Sequence, residues 1–304
     1  MKLNNMHIGM LLALFGTLLF SLKSIFIKLA YAQGLNADVV LVFRMALAVP
    51  FYVVILVYLL FKRKNKQRIS PLSNKLLLQV LGLGFLGYYL ASLLDLLGLE
   101  YITAQLERLT LFTYPFMVAI IGYFLFKQPL TRQLIASLII SYIGLWVVMG
   151  QELQFNGNNV FLGTALVMGS ALSFSFYVLL SQFMIKKLGS LLFTALAMTS
   201  SSLLVFAHGA IQVDFSTLIV THEAWGWLML LAIFSTVLPS FMMSEAIQRI
   251  GTTQTGIMGT LGPIFTIILA VYLLGEPISF TMVLGMALVI CGVAILLFKK
   301  SNRC

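Results

Sequence analysis

The sequence predicts an all-α integral membrane protein with ten transmembrane helices, arranged as two inverted five-helix repeats. Three observations lead to this fold class: long apolar segments, an internal repeat, and a one-sided distribution of basic residues. With 61% hydrophobic and 9% charged residues, the chain carries more apolar surface than a soluble core could bury. The solvent around most of this surface is therefore expected to be lipid.

Ten apolar segments are long enough to cross a bilayer, whose hydrocarbon core of about 30 Å needs about 20 residues per helix. A transmembrane barrel would instead show short alternating segments. The first segment is too long for a signal-peptide core and lacks a small-residue cleavage site, so we expect it to be a helix of the mature protein. The segments cover residues 8–31, 38–61, 75–98, 101–126, 132–150, 159–184, 190–211, 224–247, 252–274 and 278–298.

The second half of the chain repeats the first. An offset of 148 positions aligns Ile102 with Ile250, Pro115 with Pro263, Leu125 with Leu273, Pro129 with Pro277 and Gly144 with Gly292. A fainter echo at an offset of 154 aligns Gly9 with Gly163, Leu18 with Leu172, Phe20 with Phe174 and Ser21 with Ser175. Because each repeat holds an odd number of helices, the second copy enters from the opposite side. The predicted domains are residues 1–150 (helices one to five) and 151–304 (helices six to ten).

The distribution of charge predicts the orientation. One side of the ten segments receives Lys2, Lys62, Arg63, Lys64, Lys66, Arg68, Lys75, Lys127, Arg132, Lys186, Lys187, Arg249, Lys299, Lys300 and Arg303. The opposite loops carry only the acids Asp38, Glu100, Glu152, Asp214, Glu223 and Glu276. Basic loops stay in the cytoplasm, so both termini are expected there, in a multi-pass protein of the cell inner (plasma) membrane. The net charge of +10 is thus a topology signal, and nucleic acid is not predicted as a partner.

Two matched stretches resemble a known family. Gly98-Leu-Glu-Tyr-Ile-Thr-Ala with Tyr114-Pro-Phe, and Ala246-Ile-Gln-Arg-Ile-Gly-Thr with Leu261-Gly-Pro-Ile-Phe and Leu274-Gly-Glu-Pro-Ile, look like the EamA domain of the drug/metabolite transporter superfamily. The resemblance covers nearly the whole chain as two tandem EamA domains. It implies a ten-helix bundle with a central cavity, alternating access, and export of metabolites more often than import.

Ionisable residues inside the segments are the first site candidates, because each costs about 2.5–3.5 kcal/mol at a helix centre on insertion scales. Six of them fall in the outer half of the first repeat: Lys23, Lys28, Arg44, Asp95, Glu107 and Arg108. Lys28 and Asp95 are expected to reach the outer interface by snorkelling. Either Glu107 pairs with Arg44 or Lys23 and this cluster only holds the bundle together, or one or two of Lys23, Arg44, Glu107 and Arg108 line the cavity and contact a charged substrate or carry a proton. Glu245 and Arg249 are predicted to form an i,i+4 pair.

Helix kinks and aromatic residues supply further candidates. Pro115 and Pro263 remove helical hydrogen bonds and free the carbonyls of Leu111 and Gly259. Kinks at matching points of two repeats indicate a midplane site lining a cavity, although a static packing kink is the alternative. Among the aromatic side chains that follow small-residue stretches, Tyr88 and Tyr177 are candidates to line the cavity.

These features predict a secondary-active transporter of small organic metabolites, such as amino acids or related compounds, that acts as an exporter or exchanger by alternating access. Its predicted partners are the lipid bilayer, the substrate, and a proton or counter-substrate. No cofactor and no metal are predicted. A flippase of a lipid-linked phosphate carrier is the alternative, whereas an enzyme is not predicted, because the segments lack motifs such as H-E-x-x-H. The sequence leaves the oligomeric state open.

The topology can be tested by labelling. Cysteines introduced at Gly157 and Asp214 are expected to react with an impermeant maleimide added to sealed cells, because both positions lie in outer loops. A cysteine at Gln67, in the basic loop, is expected to react only after the cells are opened. Labelling of Gln67 in sealed cells would contradict the orientation.

Overall fold

The computed structural model describes residues 2–65, 73–127, 132–157, 159–216, 218–259 and 261–301. Within these residues, nine helices are long and apolar enough to cross a membrane, and Phe280–Ile295 is a shorter apolar helix. The predicted all-α membrane fold is therefore confirmed. The helices are α1 (Lys2–Ala32), α2 (Ala37–Asn65), α3 (Asn74–Leu99), α4 (Ala104–Phe126), α5 (Arg132–Asn156), α6 (Asn159–Leu188), α7 (Ser190–Gln212), α8 (His222–Gly251), α9 (Gln254–Leu274) and α10 (Phe280–Ser301).

The described helices contain three interruptions, and two of them fall at equivalent places in the two halves. α3 contains the π-helical segment Phe85–Leu90, and α8 contains Ile233–Val237, which begins 148 positions later. α4 is divided into Ala104–Leu111 and Tyr114–Phe126. The equivalent part of the second half lies in α9, in which position 260 is outside the described residues. The offset of 148 positions, seen in the sequence from Ile102 onward, therefore also relates α3 to α8, upstream of Ile102.

Gly251 separates α8 from α9. Its φ of 80° and ψ of 169° lie in a region that only glycine occupies without strain. The chain can therefore turn here without the longer loop that a residue with a Cβ atom would need.

The contacts between helices follow the symmetry of the repeat. A contact between two helices has an equivalent contact between their counterparts in the other half. α1 packs against α8 and α9, and α6 packs correspondingly against α3 and α4. The equivalent helices α2 and α7 contact each other, as do α5 and α10. Each half thus buries its first helix against the other half.

The helices α5 and α10 show that the repeats are inverted. Gln133 Nε2, near the start of α5, donates a 2.8 Å hydrogen bond to Ile295 O in the later part of α10. At the other end, Ser279 Oγ donates to Gln151 Oε1 at 2.6 Å. These equivalent helices therefore run antiparallel, which an inverted repeat requires.

The surface of the bundle is apolar, as a lipid-facing surface should be. Large side chains such as Phe124, Trp146 and Tyr272 are exposed. Gln67 lies outside the described residues, and the orientation in the membrane stays a prediction.

Close packing between α5 and α10 depends on glycine. A Cβ atom on Gly144 would lie 2.4 Å from Gly285 O, whereas one on Gly150 would meet no atom within 4 Å. We expect Gly144→Ala to lower the stability of the detergent-solubilised protein by about 1–3 kcal/mol, because overpacking forces the helices apart. Thermal unfolding followed by tryptophan fluorescence measures the effect.

Gly150→Ala, in the same helix, is the matched control and should leave the unfolding temperature unchanged or slightly raised. Equal unfolding temperatures for the two variants would contradict the close approach.

Candidate functional site

One cavity of about 150 Å³ lies between the two halves of the bundle. Residues of α1, α2, α3, α4, α6, α7, α8 and α9 line it, whereas none of the described residues of α5 and α10 does. Both repeats therefore contribute to a single chamber. The lining residues are Thr17, Phe20, Lys23, Arg44, Met45, Gly87, Tyr88, Ala91, Ser92, Arg108, Leu111, Phe112, Tyr114, Ser170, Phe174, Met198, Ser235, Thr236, Met243 and Gly259.

The helix interruptions lie at this cavity. Gly87 and Tyr88 come from the π-helical segment of α3, and Ser235 and Thr236 come from the segment of α8. Neighbouring side chains bond the backbone there. Ser173 Oγ donates to Leu86 O at 2.7 Å, and the Tyr52 hydroxyl lies 3.2 Å from Thr236 O. Single-turn π segments inside α-helices occur frequently at functional sites. The sequence analysis did not detect them.

A pair of symmetric hydrogen bonds lies directly beside the two prolines. Ser21 Oγ in α1 donates to Gly262 O at 3.0 Å, directly before Pro263. Its equivalent in α6, Ser175, donates to Tyr114 O at 3.1 Å, directly before Pro115. Each repeat thus supplies a hydroxyl that bonds the carbonyl before the proline of the other repeat.

Neither proline ring lines the cavity, and both are buried. The residues whose carbonyls these prolines free, Leu111 and Gly259, do line it. Thr110 Oγ1 donates to Leu106 O at 2.8 Å, and Thr113 Oγ1 donates to Thr110 O at 2.7 Å, so these threonine hydroxyls are directed to other carbonyls.

Three cations face the cavity. Lys23, Arg44 and Arg108 all line it, and its lining contains no carboxylate. The Nε atoms of Arg44 and Arg108 are buried and have no hydrogen-bond partner. Among the ion pairs found in the described ranges, only Lys23–Asp95 includes a cavity cation. A buried guanidinium N–H without an acceptor is costly, so the cavity is suited to a ligand that supplies an acceptor.

The acids of the cluster lie behind the cavity wall, and the expectation that Asp95 snorkels is wrong. Asp95 does not snorkel: its side chain is 1% exposed and accepts a hydrogen bond from Lys23 Nζ. Glu107 forms no ion pair with Arg44 or Lys23. It is 0% exposed, and its Oε2 accepts a 2.6 Å hydrogen bond from Ser24 Oγ. Lys23 neutralises Asp95, since a buried carboxylate without a cation is strongly disfavoured.

The two candidate tyrosines occupy different places. Tyr88 lines the cavity, whereas Tyr177 lies behind it, with the two hydroxyl oxygens 2.9 Å apart. The Tyr177 ring packs so closely on the π segment that a Cβ atom on Gly87 would lie 2.4 Å from it. Tyr177 therefore positions Tyr88 and the segment that carries it.

A second pocket, of about 530 Å³, lies beside the start of α4 and is lined by Lys28, Glu100, Thr103 and Glu276 among others. Lys28, which was expected to snorkel, is one of its walls. Glu276 lies in the loop before α10 and accepts hydrogen bonds from the backbone N–H groups of Ala104 (2.7 Å) and Gln105 (3.2 Å). A carboxylate from the second repeat thus caps a helix of the first. Burial raises the pKa of Glu276, although these bonds and Lys28 oppose the shift.

The predicted pair of Glu245 and Arg249 is confirmed. Arg249 Nε lies 2.7 Å from Glu245 Oε1, in the i,i+4 arrangement. Neither residue lines the cavity. They therefore serve as references for the cavity residues in the experiments below.

The antiparallel repeats and the chamber between them define a multi-pass membrane protein of the transporter class. Comparison with known proteins identifies its family. The family model described as "EamA-like transporter family" matches residues 7–150 and 161–298. The chain belongs to the EamA-like transporter family, as two tandem domains, and is a membrane transporter.

Curated relatives in Bacillus subtilis (strain 168) are named only as uncharacterized transporters. The uncharacterized transporter YcbK is 29% identical over 93% of this chain and 91% of its own length. YyaM is 24% identical over 82% of this chain and 81% of its own length. One crystal structure has a TM-score of 0.68 at 14% identity and covers 97% of this chain and 99% of that one. It is similar to this chain in fold.

The cap at Glu276 generates a prediction about pH. A carboxyl whose pKa is raised on folding stabilises the protein fully below its unfolded pKa, near 4.5. That contribution is lost as the pH rises through the folded value. We therefore expect the wild-type stability in detergent to fall as the pH rises from the unfolded to the folded pKa of Glu276. Glu276→Gln should show a smaller fall with pH and should also lose about 1 kcal/mol of stability from the weaker cap.

Thermal unfolding as a function of pH measures both effects. Glu245→Gln is the control and should keep the wild-type dependence. The expectation fails if Glu276→Gln unfolds with the same pH profile as the wild type.

Proposed function

We propose that this protein is a secondary-active transporter of small organic metabolites, such as amino acids or related compounds, across the cytoplasmic membrane. It works by alternating access as an exporter or exchanger, with both termini in the cytoplasm. The single observation that supports this best is the cavity itself. It is one chamber whose walls include the matched helix interruptions of both repeats.

The cavity surface favours a ligand with an anionic group and an apolar part. Arg44 and Arg108 present buried N–H donors without acceptors, and a carboxylate or phosphate is the acceptor that a guanidinium binds best. The remaining wall is apolar and aromatic, with Phe20, Phe112 and Phe174 in the lining. An amino acid or other carboxylate with an apolar side chain combines both features.

The interruptions supply the places where helices can bend. Hinge positions absorb backbone changes at a few residues while the packed helices around them stay rigid. The segments Phe85–Leu90 and Ile233–Val237 carry Tyr88 and Thr236 to the cavity. Bending at one segment opens the chamber toward one side, and bending at its equivalent opens it toward the other. The direction of net flux follows the gradients of substrate and counter-ion, and the sequence contains no Walker motif for direct ATP coupling.

A counterflow assay in proteoliposomes tests the function. Vesicles preloaded with unlabelled L-phenylalanine or benzoate are expected to accumulate the same labelled compound, and benzamide, the neutral counterpart of benzoate, should not be accumulated. Arg44→Gln should lower the exchange rate by about tenfold or more, because it removes a charge-assisted hydrogen bond worth about 1.5–3 kcal/mol. Gly262→Ala should act similarly, since the new Cβ atom would lie 2.6 Å from Arg108 Nη2.

Arg249→Gln is the matched control and should exchange as the wild type does, because Arg249 lies outside the cavity lining. Equal losses in Arg44→Gln and Arg249→Gln would contradict the assignment of the cavity. If Arg44→Gln fails to fold, the cation serves the bundle and Gly262→Ala becomes the test of the site.

The flippase alternative rests on the same cations, which would suit the phosphate of a lipid-linked carrier. It requires activity with a lipid-linked phosphate and none with soluble anions. Vesicles containing undecaprenyl phosphate, assayed for its exposure on the outer leaflet, distinguish the two functions. Movement of the lipid without counterflow of any soluble compound would overturn the metabolite transporter.

A further inference from the structure

Two hydroxyl groups in the wall of the chamber have no hydrogen-bond partner among the described residues. Thr17 of α1 and Ser235 of α8 both line the chamber, and each residue is 2% exposed. Thr17 Oγ1 and Ser235 Oγ are buried and unpaired. A buried polar atom without a partner is costly and rare in folded proteins. The packing of the bundle alone therefore leaves two polar atoms of the wall unsatisfied.

Other hydroxyls at the chamber are satisfied within the protein. Ser170 Oγ donates to Ala91 O at 2.6 Å, and Thr236 Oγ1 donates to Leu231 O at 2.9 Å. Serine and threonine side chains inside helices commonly bond a backbone carbonyl in this way. Thr236 is the residue next to Ser235, so one helical segment contains a satisfied hydroxyl and an unsatisfied one. The missing partner is thus a property of particular positions in the wall.

Thr17 lies next to one of the cavity cations. A Cβ atom placed on Gly262 would lie 2.6 Å from Arg108 Nη2 and 3.2 Å from Thr17 Cγ2. The guanidinium group and the threonine side chain thus approach the same point of the wall. The segment that carries Ser235 packs against α1 and against α2, the helix of Arg44. Both hydroxyls therefore lie on elements that adjoin the guanidinium groups.

A single hydroxyl group on the ligand can satisfy both oxygens. A hydroxyl is a donor and an acceptor at once, so it can accept from one wall hydroxyl and donate to the other. An ammonium group could donate to both, but it would lie among the cations Lys23, Arg44 and Arg108. No carboxylate of the described residues lines the chamber to offset that repulsion, which is strong where water is excluded. The wall thus favours a neutral polar group beside the acid group.

We propose that Thr17 and Ser235 select organic anions that carry a hydroxyl group on the carbon beside the carboxylate, as an aromatic or apolar α-hydroxy acid does. The carboxylate binds Arg44 and Arg108, and the hydroxyl lies between the two wall hydroxyls. The apolar part packs against the phenylalanine side chains of the lining. This inference rests on the proposed function and narrows its substrate class.

Three ligands with one carbon skeleton test this selection. Hydrocinnamate, L-phenyllactate and L-phenylalanine carry hydrogen, a hydroxyl and an ammonium group, respectively, on the carbon beside the carboxylate. Calorimetry with the purified full-length protein in detergent at neutral pH measures their dissociation constants. We expect L-phenyllactate to bind about tenfold more tightly than hydrocinnamate, which leaves both wall hydroxyls unpaired. L-Phenylalanine should bind more weakly than L-phenyllactate, because its ammonium group meets the cavity cations.

Two variants separate recognition of the ligand from a structural role. Thr17→Val keeps the shape of the side chain, and Ser235→Ala removes only the hydroxyl oxygen. Each should raise the dissociation constant of L-phenyllactate about fivefold, the effect of one neutral hydrogen bond, and leave that of hydrocinnamate unchanged. A purely structural role would change both constants alike.

Ser170→Ala is the matched control. It removes a cavity hydroxyl that is already bonded to Ala91 O, so the ratio of the two dissociation constants should stay as it is in the wild type. If Thr17→Val or Ser235→Ala fails to fold, the comparison of the three ligands on the wild type decides.

The outcomes distinguish this inference from the proposed function. Equal binding of L-phenyllactate and hydrocinnamate by the wild type would overturn the selection by the wall hydroxyls and leave the transport function standing. Tighter binding of L-phenylalanine than of L-phenyllactate would also overturn it, in favour of an amino acid. If none of the three acids binds, the proposed function itself is contradicted.

Discussion

The rule that every backbone polar group inside a lipid bilayer must find a partner within the protein governs this fold. Helix interruptions and prolines break that rule locally, and side chains from neighbouring helices restore it. Ser21 and Ser175 bond the carbonyls beside the two prolines, each across to the other repeat. Ser173 bonds Leu86 O in the π segment. The chamber can exist only because these hydroxyls allow irregular backbone to face it, so the site depends on the pairing of the repeats.

The scaffold is duplicated, but the chemistry is confined to one half. At the offset that aligns the first helices, Lys23 corresponds to Tyr177 and Arg44 to Met198. At the offset of the later helices, Asp95 corresponds to Met243. Both methionines line the cavity. Symmetry has therefore been kept where it maintains backbone hydrogen bonds and lost where it would have placed a second set of charges in the cavity wall.

The sequence predicted the fold because span length, proline position and loop charge are local properties that a bilayer constrains strongly. It also found Lys23, Arg44, Arg108 and Tyr88, which the structure brings to one cavity. The pairing of Lys23 with Asp95, and the placement of Glu107 behind the wall, depend on helix rotation, which depth along a helix does not reveal. The π segments left no compositional mark. The echo of Ser21 in Ser175 was visible, but the partners of both residues lie in the opposite repeat and only packing identifies them.

The three cavity cations, Lys23, Arg44 and Arg108, all lie in the first repeat. This placement has a kinetic consequence. An anionic ligand in the chamber would have its charged end toward the first repeat, which carries all three cavity cations, whichever side is open. The two open states are therefore not mirror images for the ligand, although the helices that form them are related by symmetry. Entry from the two sides must then differ in rate and in half-saturating substrate concentration. Detailed balance requires these two differences to compensate each other. The carrier is therefore kinetically directional, although the equilibrium distribution of its substrate is unchanged.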